Sequence, residues 1–143
     1  AADLLACNMV IIGAPPDRLR FGGRSVRTRV FVDGRSVYDG RAATVVAATG
    51  EFLRGLDLSP RGHPGDGRLE VQIYAVPGSD RRMFRSRLRT GSHLPHPRIL
   101  QRTGREVRIE TARPRPLEVD GARLPARRTL TVAVVPGAFR LLV

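Results

Sequence analysis

Hydrophobic and polar positions alternate along much of the chain, in short runs closed by Gly, Pro or Asp-Gly pairs. Alternation at a period of two marks a strand with one buried face. In the run from Val26 to Val32, the residues Val26, Thr28, Val30 and Val32 fall on one face and Arg27, Arg29 and Phe31 on the other. Asp33-Gly34 follows, and Ser36-Val37-Tyr38 resumes the pattern before Asp39-Gly40. An Asp-Gly pair between two such runs predicts a hairpin, because glycine accepts positive φ. Arg68 to Val76 alternates in the same way, with Leu69, Val71 and Ile73 set against Arg68, Glu70 and Gln72. So does Glu106 to Thr111, where Val107 and Ile109 oppose Glu106, Arg108 and Glu110. Asn8 to Ile12 and Ala42 to Ala48 are continuous apolar or small-residue runs, the pattern of buried strands. Leu117-Glu118-Val119 leads into Asp120-Gly121, and Leu130 to Val135 and Phe139 to Val143 close the chain around Pro136-Gly137.

Two stretches depart from this rhythm. Ser79 to Arg89 predicts a helix, capped by Ser79 or Asp80, with Met83, Phe84 and Leu88 at helical spacing. Thr49 to Gly67 is polar and rich in turn formers, a long loop for a compact domain and therefore a candidate for function. About eight to ten short strands and one short helix predict a mainly β domain, an antiparallel β-sandwich. Residues 1-25 are expected as an N-terminal strand and loop, a candidate inter-domain crossover, and 26-143 as the sandwich domain.

A chain of 143 residues with 41% hydrophobic content is long enough for one domain with its own core. A single cysteine, Cys7, excludes an internal disulfide and a thiolate-based zinc site. No apolar run approaches the roughly 20 residues of a membrane-spanning helix. The start Ala1-Ala2-Asp3 is neither a signal peptide nor an initiating Met, so the chain is expected to be a piece of something longer. The net charge of +12 comes from 25 basic residues, all of them arginine. Either an anionic partner (phosphate, acidic lipid or nucleic acid) or a coding bias toward arginine accounts for that choice. Aromatics at 5%, with no Trp, argue against a nucleic-acid stacking platform.

Several chemistries have no carrier here. There is no phosphate-cradling loop, and Gly22-Gly23 is too little for a dinucleotide fingerprint. His63, His93 and His96 sit beside or within two residues of Pro or Gly in loops, without metal-ligand spacing. Two Asp-Gly pairs stand out by context: Gly65-Asp66-Gly67-Arg68-Leu69 before a strand, and Val119-Asp120-Gly121 after one. Each is a tight turn, or else a carboxylate at a strand end that could bind a hard cation or take a proton from a hydroxyl.

The order of these marks resembles the C-terminal domain of the diacylglycerol kinase, sphingosine kinase and bacterial lipid kinase family, in the NAD kinase-like superfamily. Arg29-Val30-Phe31-Val32-Asp33-Gly34 comes first, then the small-residue strand Ala42 to Ala48, Gly50, and Pro60 before Asp66-Gly67-Arg68-Leu69-Glu70-Val71. Gly91-Ser92-His93, His96-Pro97, Val107-Arg108-Ile109-Glu110, Leu117-Glu118-Val119-Asp120-Gly121 and the ending Val135-Pro136-Gly137-Ala138-Phe139-Arg140-Leu141-Leu142 complete the order. No single mark is specific; the sequence of them is.

The resemblance implies a β-sandwich that receives lipid across a cleft from an ATP-binding domain, which would have to be supplied in cis or in trans. It implies a structural magnesium held by Asp66 with nearby carbonyls around Leu69, and a base at Asp120 within the Asp120-Gly121 turn. ATP would be a cofactor only together with the nucleotide-binding domain. It further implies a cytoplasmic location, peripheral at the inner membrane face, and allows a homodimer. Two departures stand out: Ala122 where the family usually has Glu, and Thr49-Gly50-Glu51-Phe52-Leu53-Arg54-Gly55 where it has a glycine run. They leave a second reading, a non-catalytic module of the same fold that binds lipid or anionic membrane. Arg81, Arg82, Arg85 and Arg89 on the helix would be its phosphate contacts. A basic nucleic-acid-binding β-domain is a third reading and rests on charge alone.

Overall fold

In the computed structural model, the strand predicted from Val26 to Val32 is β3, and its alternation is reproduced: Thr28, Val30 and Val32 are buried while Arg27 and Arg29 are exposed. The structure describes residues 4–7, 9–13, 25–49, 52–53, 56–57, 68–75, 99–135 and 138–142. Around β3 lie β1 (Leu4–Ala6), β2 (Met9–Gly13), β4 (Arg35–Ala42), β5 (Thr44–Ala48), β6 (Phe52–Leu53), β7 (Leu56–Asp57), β8 (Leu69–Tyr74), β9 (Ile99–Gly104), β10 (Glu106–Val119), β11 (Ala122–Val135) and β12 (Ala138–Leu142). Among the described residues there is no helix; the predicted Ser79–Arg89 helix lies outside them.

Ten of these strands form one antiparallel sheet in the order β1-β12-β11-β10-β2-β5-β8-β9, and β3 branches from β10 and carries β4. β6 and β7 form a separate small hairpin. The branch makes the architecture. The first half of β10 pairs with β3 through Val107↔Val32 to Thr111↔Thr28, and its last three residues pair with β2 through Leu117↔Ile12 to Val119↔Val10. One strand thus belongs to two layers. Its ladder with β11 breaks between Glu110↔Thr129 and Arg115↔Arg127, where residues 111–114 oppose Arg128 alone. Pro114 and Pro116 lie in this stretch and have no N–H to give to a ladder. A bulge bends a strand and increases its twist, so the proline pair supplies the corner around which the sheet folds on itself.

Between the layers lies one core: Val30, Val32, Val107 and Ile109 meet Val10, Ile12, Val45, Ala47, Leu69, Val71, Ile73, Leu117, Leu130 and Val132. Each fully buried Val, Leu or Ile of such a core is worth about 1.5–3 kcal/mol in transfer free energy. Two glycines are required by close approach. A Cβ at Gly104 would lie 2.4 Å from Val32 Cγ1, where β9 meets β3. At Gly13 (φ 103°) it would lie 2.3 Å from the carbonyl oxygen of Ala43. That same oxygen accepts a hydrogen bond from Arg115 Nη2 at 2.9 Å, which ties the proline corner to the start of β5.

β2 and β5 are buried on both faces, as their unbroken apolar runs predict. β8 differs from what alternation alone suggests. Its polar side, Glu70, Gln72 and Tyr74, is as buried as Leu69, Val71 and Ile73, and the Tyr74 hydroxyl donates to Gln72 Oε1.

Candidate functional site

Asp120 and Gly121 are the two central residues of the β10–β11 hairpin, closed by the pair Val119↔Ala122. Both have positive φ, 48° and 85°. That is the two-residue turn whose twist suits flanking strands, and Asp and Gly tolerate it best. The turn also clamps a neighbour. Asp120 N–H donates to the Met9 carbonyl at 2.9 Å, and Asp120 Oδ1 accepts the Met9 N–H at 2.8 Å. The side chain thereby extends the β2–β10 ladder one residue past its backbone end and fixes the direction of an exposed carboxylate.

The other hairpin turn, Asp33-Gly34, is built the same way, with φ of 50° and 79°. Asp33 N–H donates to the Glu106 carbonyl at 2.9 Å, and its Oδ1 accepts the N–H groups of Arg105 at 2.9 Å and Glu106 at 3.0 Å. Both Asp-Gly turns therefore do architectural work, whatever else either does.

The register places Asp120 within the sheet. Across the strands the row runs from Asp120 through Met9↔Ala48, Ala48↔Glu70 and Glu70↔Thr103. Leu69, which begins β8, stands one residue from that row with its side chain fully buried. The Asp120 turn and the entry to β8 thus come to the same end of the β2–β5–β8 layer, separated by two strands. Asp66 lies outside the described residues, as do Arg81, Arg82, Arg85 and Arg89. Among the described residues no three His, Cys, Asp or Glu side chains gather as a metal site.

Cys7 is buried beside this turn. Burial, and then the charge of Asp120, push its thiol up to about 12, so it stays protonated and is no nucleophile.

The family model of the YegS C-terminal NAD kinase β-sandwich-like domain matches residues 21–143. The chain belongs to this family. Solved structures agree with that placement in fold. A diacylglycerol kinase from Bacillus anthracis str. Sterne superposes with a TM-score of 0.64 at 19% identity, over 90% of this chain and 50% of that one. Two structures from the same organism, provisionally designated diacylglycerol kinases, each give 0.64 at 16% identity. They are covered over 58% and 56% of their lengths, by 94% and 95% of this chain. The chain therefore spans little more than half the length of the structures it matches. No curated protein matches it. Within the YegS-type sandwich, β2 is a paired inner strand, although residues 1–20 precede the matched segment.

Proposed function

We propose that this chain is the lipid-receiving half of an ATP-dependent, diacylglycerol-type lipid kinase. The observation that carries the reading is the Asp120 turn: an exposed carboxylate on a rigid hairpin, oriented by Met9, at the same sheet end as the entry to β8. Family membership and the likeness of fold to diacylglycerol kinases support it.

Phosphoryl transfer depends chiefly on positioning and electrostatic stabilisation. In this reading a nucleotide-binding domain supplies ATP and its magnesium, and the sandwich presents the acceptor hydroxyl. Asp120 would accept the hydroxyl proton as that oxygen bonds to the γ-phosphorus and the bond from this phosphorus to the β–γ bridging oxygen breaks, with ADP leaving. Asp66 with the carbonyls around Leu69 would hold a structural magnesium at the entry to β8. In this reading the protein works in the cytoplasm, peripheral at the inner membrane face.

The test is transfer of labelled phosphate from ATP to diacylglycerol in mixed micelles with magnesium, by the gene product that contains these residues. Labelled phosphatidic acid is the expected product. Labelling that is absent with diacylglycerol and with other long-chain alcohols would remove the kinase reading.

A further inference from the structure

The β10 bulge opens a groove of about 510 Å³ on the outer face of β3, β10 and β11. Its walls carry Arg27 and Arg29 from β3, Arg128 and Thr129 from β11, and Glu110 and Thr111 from β10. The alternation of Leu130 and Val132 would turn Arg128 inward. The four residues opposing it release its side chain to the surface instead, where it is exposed. Thr111 Oγ1 holds the bulge in shape by donating to the carbonyls of Arg113 at 2.7 Å and Arg128 at 3.2 Å.

The charges in this groove do not balance. Three arginines and one carboxylate line it, and Glu110 is taken by Arg108 at 2.6 Å, leaving Arg29 at 4.0 Å from it. Arg27 is paired outside the groove with Asp39, Nε and Nη2 each at 3.2 Å. Among the described residues Arg128 makes no ion pair. Ala112 is the sole apolar side chain in the lining, so the groove suits a charged group and has no place for an acyl chain. Arginines lining one cleft, with Thr129 beside them, fit a phosphate diester or monoester. The groove is open, and Arg41, Arg113 and Arg127 are exposed on the strands and bulge around it, which suits a surface met face-on. Among the described residues no exposed aromatic side chain borders it for base stacking.

We propose that this groove binds the phosphate of anionic phospholipid headgroups and seats the β3–β10–β11 face on an anionic bilayer. The site stands apart from the Asp120 turn and does not depend on the kinase reading.

The experiment is sedimentation of the protein with phosphatidylcholine vesicles, with and without phosphatidylglycerol. Binding that requires phosphatidylglycerol is expected. The pair Arg29→Ala with Arg128→Ala should weaken it about thirtyfold, as each arginine near an anionic surface contributes roughly a fivefold gain. Asp39→Asn releases Arg27 and should strengthen it severalfold. Arg102→Ala with Arg105→Ala removes the same charge from exposed positions elsewhere and should change binding much less. Equal losses from the two arginine pairs would overturn the proposal, as would an unchanged Kd in Arg29→Ala/Arg128→Ala. Two further results would also overturn it: displacement from vesicles by low concentrations of glycerol phosphate, showing a site for a free phosphate ester, or preferential binding of DNA or RNA over vesicles.

Discussion

Replacing Asp120 separates two roles that its geometry combines. In Asp120→Ala, the Met9 N–H, on a residue that is 3% exposed, loses its acceptor. An orphaned buried donor costs about 1–3 kcal/mol. Alanine must also hold a φ of 48°, which adds about 1 kcal/mol that Asp or Asn largely avoids. The sum is about 2–4 kcal/mol, or a fall in Tm of roughly 6–12 °C for a domain of this size. Asp120→Asn keeps an acceptor oxygen and tolerates the same φ, so its cost should stay under about 1 kcal/mol. An amide, however, cannot take a proton. Thermal unfolding and phosphoryl transfer, measured on both variants, therefore give a clean split. Kinase function through Asp120 predicts an Asn variant that is stable and slow, its rate reduced by about a hundredfold or more. An Asn variant with full activity would remove Asp120 as base, and an Ala variant with unchanged Tm would refute the clamp.

Gly104→Ala drives a Cβ to 2.4 Å from Val32 Cγ1 and should destabilise by about 1–3 kcal/mol in denaturant titration, since a valine in a strand has little freedom to move aside. Gly121→Ala meets no atom within 4 Å and should cost only the strain of its positive φ, about 1 kcal/mol. Tyr74→Phe removes a buried hydroxyl that donates to Gln72 and should cost about 1–2 kcal/mol. Cys7 should resist a thiol reagent in the native protein and react on unfolding. Its folded pKa is raised from 9.0 to about 12, so the unfolded state loses its proton first. The stability it contributes is present below pH 9 and declines as pH rises toward 12, and Cys7→Ala should flatten that part of a pH–stability profile.

The strands were legible where one physical signal governed them. The alternation in β3 and the unbroken apolar runs of β2 and β5 predict their burial, and Asp33-Gly34 and Asp120-Gly121 mark turns that form, whereas Asp39-Gly40, which reads as another turn, is paired strand inside β4. β9 was missed, since Ile99 to Gly104 has too little alternation to mark a strand. The length of β10 and β11 was missed too. The pattern marks only Glu106 to Thr111, Leu117 to Val119 and Leu130 to Val135, while the structure carries each strand on through Pro114 and Pro116 or Pro125 in an irregular register. β8 shows the limit of binary patterning: Glu70 and Gln72 alternate with apolar residues as a wet face would, yet tertiary packing covers them. Of the candidate site, the Asp120 turn was readable, but its bond to Met9 was not, because residues so far apart in sequence carry no local signal of contact. The groove was half visible. Alternation placed Arg27 and Arg29 on the outer face, while only the bulge brings Arg128 to them.

Asp33 is the internal control for any role given to Asp120. The two residues share an Asp-Gly sequence, a left-handed backbone, an N–H donated to a neighbouring strand and a carboxylate that accepts N–H groups in return. On structural load alone, Asp33→Asn and Asp120→Asn should behave alike, each losing the charge and keeping the acceptor. Their positions differ: Asp33 locks β3 to the start of β10, and Asp120 locks β2 at the row that reaches the entry of β8. A base acts only where substrate is, so phosphoryl transfer should fall in Asp120→Asn and persist in Asp33→Asn at matched stability. If both variants lose activity in step with their Tm, the two turns are equivalent clamps, and the chemistry must be assigned to other residues. Vesicle binding should be indifferent to both substitutions, because the arginine groove draws on neither carboxylate.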